Sequence, residues 1–323
     1  MLAVLATTFP FFALVLCGWL AIARGWLPDG AIPGLNGFVL FFALPCLLFR
    51  FGRDTPLLQL LNPALLGVYV AAALLVVGVT LAATRSGVGR KDAAFGALVA
   101  AFPNSGFMGV PLIVALLGPA AAGAVVSTLL ADLFITSSLC IALAHAGGGG
   151  RGERQAFAQA LKAALANPLP WAIALGAAFG ACGLALPAPL GRAVAMLGDA
   201  ASPVALFAIG AVLCRAGRAG RAAGRATPPS QYLPVAAIKL LLHPALVLAL
   251  GAAVQGLGGP LGRAQLVALT LVAALPSASN VSLLADRYGA DSGRIAHIIL
   301  ASTALAFVTF SALAALLTAP AAG

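Results

Sequence analysis

Long apolar runs recur along the chain and are separated by short polar connectors. A membrane hydrocarbon core about 30 Å thick is crossed by about 20 apolar residues in a helix. The pattern therefore predicts ten transmembrane helices and the fold class of an all-α polytopic membrane protein. The predicted spans are residues 3–23, 34–52, 63–84, 93–117, 122–145, 167–186, 196–215, 234–256, 264–286 and 293–317.

The composition supports the same class. Hydrophobic residues make up 62% of the 323 residues, charged residues make up 8%, and the mean hydropathy is +1.07. Soluble domains carry about 25% charged residues, so this chain could not cover a soluble surface. The net charge of +10 therefore does not indicate nucleic acid as a partner, and the predicted partner is the lipid bilayer.

The basic residues predict an orientation. Of the 18 lysines and arginines, 13 lie in or within three residues of the first, third, fifth, seventh and ninth connectors, Arg294 among them, whereas four lie in or within three residues of the even-numbered connectors. Positively charged connectors prefer the cytoplasmic side. We therefore expect an inner (plasma) membrane protein with both termini on the non-cytoplasmic side.

A glycine-rich polar connector at 146–166 divides the chain into two five-helix halves, 1–145 and 167–323. Since five is odd, the two halves would lie in opposite orientations, as in the inverted repeats of secondary transporters. The proline spacing is similar in the two halves, although a proline-rich membrane protein can give such spacing by chance.

The fourth and ninth spans carry proline and polar residues in the middle of apolar runs. The fourth contains Phe-Pro-Asn-Ser-Gly-Phe-Met-Gly-Val-Pro from residue 102, and the ninth contains Leu-Pro-Ser-Ala-Ser-Asn-Val-Ser from residue 275. Proline removes a main-chain donor, and irregular backbone at membrane depth is tolerated where protein or a cavity satisfies it. The pattern predicts two broken helices whose unwound centres meet. The alternative is a pair of simple proline kinks in which serine and asparagine cap the backbone.

A substrate site is the functional interpretation of this meeting point. Helix N-termini present free N–H groups and a positive dipole end, which favour an anion. The predicted partner is accordingly a small carboxylate substrate. The candidate site residues are Pro103, Asn104, Ser105, Gly106, Pro276, Ser277, Ser279 and Asn280.

Two charged residues inside spans are candidates for coupling or support. Asp132 lies in the fifth span and Lys239 in the eighth. Intramembrane charges are costly and frequently functional. Asp132 would bind a coupling cation, carry a proton, balance a cation elsewhere or, as a structural residue, hydrogen-bond between helices. Lys239 would attract an anion, pair with Asp132 or, as the favoured interpretation, extend to the cytoplasmic interface.

The chain contains no HExxH, GxSxG or P-loop motif, so no enzyme class is indicated. The five cysteines show no CxxC spacing and are expected to be inert thiols. We predict no cofactor and no metal beyond a coupling ion, H⁺ or Na⁺. A homodimer is left open.

The fourth and ninth spans also resemble those of the auxin efflux carrier family, which includes bacterial carriers for malonate and other organic acids. Residues Pro103 to Leu112 are similar to the family's Pro-Asn-(Thr/Ser)-x-x-Met-Gly-(Ile/Val)-Pro-Leu motif. Ala274-Leu275-Pro276, with Asn280 and the Ala-Asp-Arg-Tyr-Gly stretch from residue 285, resembles the ninth span of the bacterial branch. The resemblance implies an inverted-repeat fold, a scaffold part and a transport part, a carboxylate substrate, and a place for Asn104 in its site.

Three functions follow as hypotheses. The leading one is a secondary carrier for organic anions that works by alternating access. The second is a sodium- or proton-coupled antiporter, or a bile-acid-type symporter, of related design. The third is a membrane receptor or structural subunit without transport.

Overall fold

A computed structural model describes residues 2–55, 62–145, 165–222 and 227–318, together with residues 158 and 162. The predicted connector 146–166 lies almost entirely outside the described residues. The described ranges contain helices and no named strand.

We number the helices in chain order. They are α1 (Leu2–Ala23), α2 (Ala31–Asp54), α3 (Pro63–Thr84), α4 (Arg90–Ala101), α5 (Ser105–Leu117), α6 (Pro119–Ala144), α7 (Pro168–Ala181), α8 (Ala188–Ala222), α9 (Pro229–Gly256), α10 (Arg263–Ala273), α11 (Asn280–Tyr288) and α12 (Ser292–Thr318). Wider π-helical turns occur inside four of them, at Val39–Ala43, Ser105–Gly109, Asp132–Thr136 and Ile238–Leu242.

Seven of these helices are long and apolar enough to cross a membrane: α1, α2, α3, α6, α8, α9 and α12. The other three predicted spans fall on shorter helices. Residues 93–117 and 264–286 each contain a non-helical stretch. The helix predicted at 167–186 ends at Ala181, and Gly183, two residues later, adopts a left-handed φ of 62°. The all-helical membrane class is therefore confirmed with seven candidate spans in the described residues.

Four helices, which we call the four-helix group, pack closely through glycines. In this group α1 packs along α8, α2 packs along α7, and α8 also contacts α2. A Cβ placed on Gly210 of α8 would lie 1.8 Å from the Val15 carbonyl oxygen, and one placed on Gly176 of α7 would lie 2.1 Å from that of Phe49. The absence of side chains here lets the backbones touch, as is common between membrane helices.

The remaining helices, α3 to α6 and α9 to α12, form the eight-helix group. Here α3 packs on α4 and α9, α4 on α6, and α12 on α9. The two groups meet where α8 and α1 contact α12 and α5. At this boundary the hydroxyls of Thr8 and Ser311 lie 3.1 Å apart and are buried.

Candidate functional site

Two non-helical stretches of the eight-helix group are joined by their main chains. The first separates α4 from α5, and the second separates α10 from α11. The Asn104 N–H donates to the Pro276 carbonyl oxygen at 2.8 Å, and the Ala278 N–H donates to that of Phe102 at 3.0 Å. Pro103 and Ser277 face each other between these bonds as an isolated antiparallel bridge. We call this junction the crossing.

Proline explains why α4 stops where it does. A residue before proline is pushed out of the α region, and Phe102 accordingly has an extended backbone at φ −97° and ψ 100°. Helical structure resumes at Ser105 with a π-helical turn, in which the Asn104 carbonyl oxygen accepts from both Met108 and Gly109 N–H, at 3.1 and 2.9 Å. The first N–H groups of a helix have no intrahelical acceptor, so α5 begins with donors at the crossing.

A cavity of about 1060 Å³ reaches the crossing. Its lining contains six of the eight predicted site residues: Pro103, Asn104, Ser105, Gly106, Ser279 and Asn280. Pro276 and Ser277 are not among the lining residues. The Pro276 carbonyl holds the crossing, and the buried Ser277 donates its main-chain N–H to the Ser302 hydroxyl at 3.2 Å.

The asparagines at the crossing have unused hydrogen-bonding capacity. The Asn280 Oδ1 atom is buried and has no hydrogen-bond partner among the described residues. Asn104 is only 3% exposed, and its main-chain groups, not its amide, make its hydrogen bonds within the described part of the chain. Buried polar groups are normally paired, so among the described residues Asn104 retains an amide outside the hydrogen-bond network of the crossing and Asn280 retains an unpaired acceptor oxygen.

The opposite wall of the cavity comes from the four-helix group. Asn36 and Leu40 of α2 line it, as does Asn167, whose Oδ1 caps α7 by accepting from the Leu169 N–H at 3.0 Å. The sequence prediction missed Asn36. Its signal was present as a single amide in an apolar run.

Charged and polar side chains line the cavity away from the crossing. Asp92, Asp291 and Arg215 lie there, with Gln231 and His297. Beside them, Arg294 is 1% exposed. Its Nη1 donates to the Asp92 carbonyl oxygen at 2.8 Å, and its Nε donates to that of Gln231 at 3.0 Å. Arg294, counted above among connector charges, therefore joins α4, α9 and α12.

Asp132 lies in a buried hydrogen-bonded cluster, not in the cavity lining. Its Oδ2 accepts from the Tyr69 hydroxyl at 2.6 Å, and its Oδ1 accepts from the Thr136 hydroxyl at 3.0 Å. Both Asp132 and Tyr69 are completely buried. The sequence prediction did not include Tyr69, because a tyrosine in an apolar run carries no distinctive signal.

Lys239 does not extend to the cytoplasmic interface, so the favoured interpretation of this residue was wrong. It is completely buried, and its Nζ donates to the Ala273 carbonyl oxygen at 2.7 Å and contacts His243 Nδ1 at 3.1 Å. Asp132 and Lys239 interact electrostatically but form no direct ion pair within 4.0 Å; the ion pairs between described residues are Arg50–Asp199 and Arg53–Asp54.

Comparisons with known proteins show the family to which the chain belongs. Residues 3–313 match the family described as membrane transport protein. A protein of Rhizobium meliloti (strain 1021) named "Putative malonate transporter" is 30% identical over 310 residues, which cover 94% of this chain and 92% of that protein. The resemblance seen in the fourth and ninth spans is thereby confirmed over nearly the whole chain. The protein belongs to the membrane transport protein family, the family of the auxin efflux carriers.

Proposed function

We propose that the protein is a secondary active transporter of small mono- or dicarboxylates, which bind at the crossing and pass through the membrane by alternating access. The observation that carries this proposal is the large cavity that ends on two main-chain hydrogen bonds, with Asn104 and Asn280 in its wall. The relative is named as a malonate transporter, and malonate is a dicarboxylate of the proposed class.

The proposed architecture has ten spans in two inverted repeats. In it α4 with α5, and α10 with α11, each form one membrane helix broken at mid-depth, and α7 is a short span. Helix packing supports the repeat: α1 packs on α8 and α2 packs on α7. An exchange of the two halves turns one of these pairs into the other, as a pseudo-two-fold axis requires.

The crossing suits an anion for electrostatic reasons. Helices α5 and α11 both begin there, at Ser105 and Asn280. Their N-terminal N–H groups carry the positive dipole ends that bind carboxylates in transporters with broken helices. The amide groups of Asn104 and Asn280 would add donors of fixed position. No lysine or arginine is needed at the substrate.

Alternating access would use the boundary between the two helix groups. The cavity leads from the crossing to Asp92, Arg215 and Asp291, which lie near connectors that the distribution of basic residues assigns to the cytoplasm. We therefore assign the structure to an inward-open state. A smaller cavity of about 370 Å³, lined by Arg50, Asp199 and Ser202, lies at the other end, and it would open as the eight-helix group moves.

Uptake by proteoliposomes tests the function. We expect saturable flux of a radiolabelled small carboxylate such as malonate, and we expect Asn104→Ala to raise the concentration for half-maximal flux at least about tenfold. This is the effect of losing a hydrogen bond to a charged group, which contributes about 1.5–3 kcal/mol.

Asn62→Ala is the matched control. Asn62 caps α3 with its Oδ1 and is not among the cavity-lining residues. This variant should lose about 1 kcal/mol of stability and keep the flux constants of the unmodified protein. Equal flux in the Asn104→Ala and unmodified proteins, or no carboxylate flux at all, would contradict the proposal.

A cation-coupled antiporter or symporter is the second candidate, and the buried Asp132 favours it. Flux measured under imposed Na⁺ and pH gradients separates the two functions. A carrier that is not coupled to Na⁺ or H⁺ gives the same initial rate under every gradient when the membrane potential and the charge of the substrate are held constant.

A further inference from the structure

We propose that the Lys239 ammonium is a built-in cation that occupies the position in which a cation-coupled carrier of this design holds Na⁺, so that carboxylate transport needs no Na⁺. The transport part of this inference rests on the proposed function. The structural part concerns the cluster of Tyr69, Asp132, Lys239, His243 and the end of α10, and it can be tested without transport.

The ammonium lies at the carboxyl end of a helix that stops at the crossing. Ala273 is the last residue of α10, and its carbonyl oxygen accepts from Lys239 Nζ at 2.7 Å. The last carbonyl groups of a helix lack intrahelical donors and form the negative end of its dipole. In transporters with broken helices, such carbonyl ends coordinate the coupling cation. Here the lysine supplies the positive charge.

The cluster also contains one opposite charge. Asp132 interacts electrostatically with Lys239 without direct contact, and its two oxygens accept from Tyr69 and Thr136. Asp132 and Lys239 are both 0% exposed. An isolated buried charge is expensive, whereas removal of one member of a balanced pair leaves the other uncompensated. Lys239 and Asp132 therefore compensate each other's buried charge, as a bound cation and a carboxylate would.

His243 provides a second observation. An ammonium only donates hydrogen bonds, so His243 Nδ1, 3.1 Å from Lys239 Nζ, accepts, and the neutral imidazole carries its proton on Nε2. That Nε2 is buried and has no partner among the described residues, while the imidazole packs on the Tyr69 ring at a centroid distance of 5.7 Å. The groups facing the ammonium are thus a carbonyl oxygen, an imidazole nitrogen and, further away, a carboxylate.

This arrangement predicts that a shorter neutral side chain opens a cation site. Lys239→Ala removes the ammonium and its four-carbon stem, and leaves the Ala273 carbonyl, His243 Nδ1 and Asp132 without a cation. A small cation that enters this space restores the balance. Lys239→Met also removes the charge but fills the space, so it serves as the matched control.

Thermal unfolding of the purified protein in detergent is the test. The salts are sodium, choline and propylammonium chloride at equal ionic strength. We expect Lys239→Ala to have a lower Tm than the unmodified protein in choline, and sodium or propylammonium to raise it by several degrees, because a ligand that binds the folded state stabilises it. Lys239→Met should have a lowered Tm in all three salts. Asp132→Asn combined with Lys239→Met should have a higher Tm than Lys239→Met alone.

The unmodified protein supplies the second measurement, which remains available if Lys239→Ala does not fold. Its Tm should be the same in sodium and choline, and its carboxylate flux should have the same rate in both. A Tm or a flux that rises specifically with Na⁺ would overturn the inference and leave the carrier function intact. If neither sodium nor propylammonium raised the Tm of Lys239→Ala above its value in choline, the inference would also be overturned. Absence of any carboxylate flux would contradict the proposed function, and the comparison of Tm values would still decide the role of Lys239.

Discussion

Tyr69 is the residue on which the burial of Asp132 most directly depends. Its hydroxyl, 2.6 Å from the carboxylate oxygen, is contributed by α3 to a residue of α6, so one hydrogen bond both satisfies the carboxylate and joins two helices. Hydrogen bonds to charged groups are stronger than those between neutral groups. The neutral Tyr69 hydroxyl therefore stabilises the buried Asp132 carboxylate.

Tyr69→Phe should lower the free energy of unfolding by about 1–3 kcal/mol, because it leaves one oxygen of a buried carboxylate unpaired. Urea or thermal unfolding of the purified protein measures this loss. Tyr232→Phe is the control, since Tyr232 is half-buried and packs on the His297 ring. Similar losses in both variants would show that the bond to Asp132 contributes nothing specific.

Residues that line the cavity were predicted where the sequence itself disturbs a helix. Proline, glycine and asparagine in an apolar run mark such a position, and six of the eight residues chosen in this way line the cavity. Lys239 and Arg294 were misinterpreted for a different reason. A position along the chain does not say which neighbouring helices cover a side chain, and both cations are buried by helices distant in sequence.

At the scale of helices, the π-helical turns coincide with functional candidates. One such turn begins at Ser105 at the crossing, another begins at Asp132, and a third contains Lys239. A π-helical turn widens the helix locally and frequently marks functional sites. At the crossing, the wider turn is seen in the Asn104 carbonyl oxygen, which accepts from two N–H groups.

Close helix packing in the four-helix group gives a prediction for glycine. Gly210→Ala would place a Cβ 1.8 Å from the Val15 carbonyl oxygen. Because the Val15 main chain cannot move aside as a flexible side chain can, we expect the free energy of unfolding to fall by about 3 kcal/mol or more. Gly78→Ala in α3 has nothing within 4 Å of the new Cβ and should stabilise by about 0.5–1 kcal/mol.

Unfolding of the two purified variants under identical conditions measures the difference. The prediction fails if both alanine variants unfold at the same denaturant concentration. The comparison separates close packing from helix propensity, because both glycines lie within helices.

The interruptions of the fourth and ninth predicted spans followed from the sequence, but their lengths did not. Residues 102–104 are non-helical in the first, and residues 274–279 are non-helical in the second. Proline determines where a helix becomes unfavourable. The point at which the next helix begins depends on partners across the crossing, such as the bond from Ala278 to Phe102, which a local pattern does not reveal.

The whole molecule is organised in a way that the order of spans along the chain does not show. The four-helix group takes two helices from each half of the sequence, and the cavity lies between this group and the rest. A count of apolar runs predicts the class, but it gave ten spans, whereas seven of the described helices are long and apolar enough to cross a membrane. It cannot predict which helices pack together, because glycine contacts such as Gly210 with Val15 require the partner to be known.

Accessibility to a membrane-impermeant thiol reagent tests the orientation and the inward-open assignment. The five native cysteines are first replaced by alanine. In inside-out vesicles Ala296→Cys, in the wall of the large cavity, should be labelled. Ser202→Cys, in the wall of the small cavity, should be labelled from the opposite side, in right-side-out vesicles.

These two positions are both half-buried, so each serves as the control for the other. Labelling of both cysteines from the same side would contradict the assignment. The reverse pattern would mean that the chain has the opposite orientation.

Both bonds at the crossing are made by peptide groups, and this separates the stability of the junction from the identity of the side chains that line the cavity. Any residue other than proline can donate from positions 104 and 278, so the junction tolerates exchange of the side chains around it. Ser279 and Asn280 can then change while the frame that presents them stays in place. A transporter constructed in this way can change the lining of its cavity through single substitutions, without having to rebuild its fold.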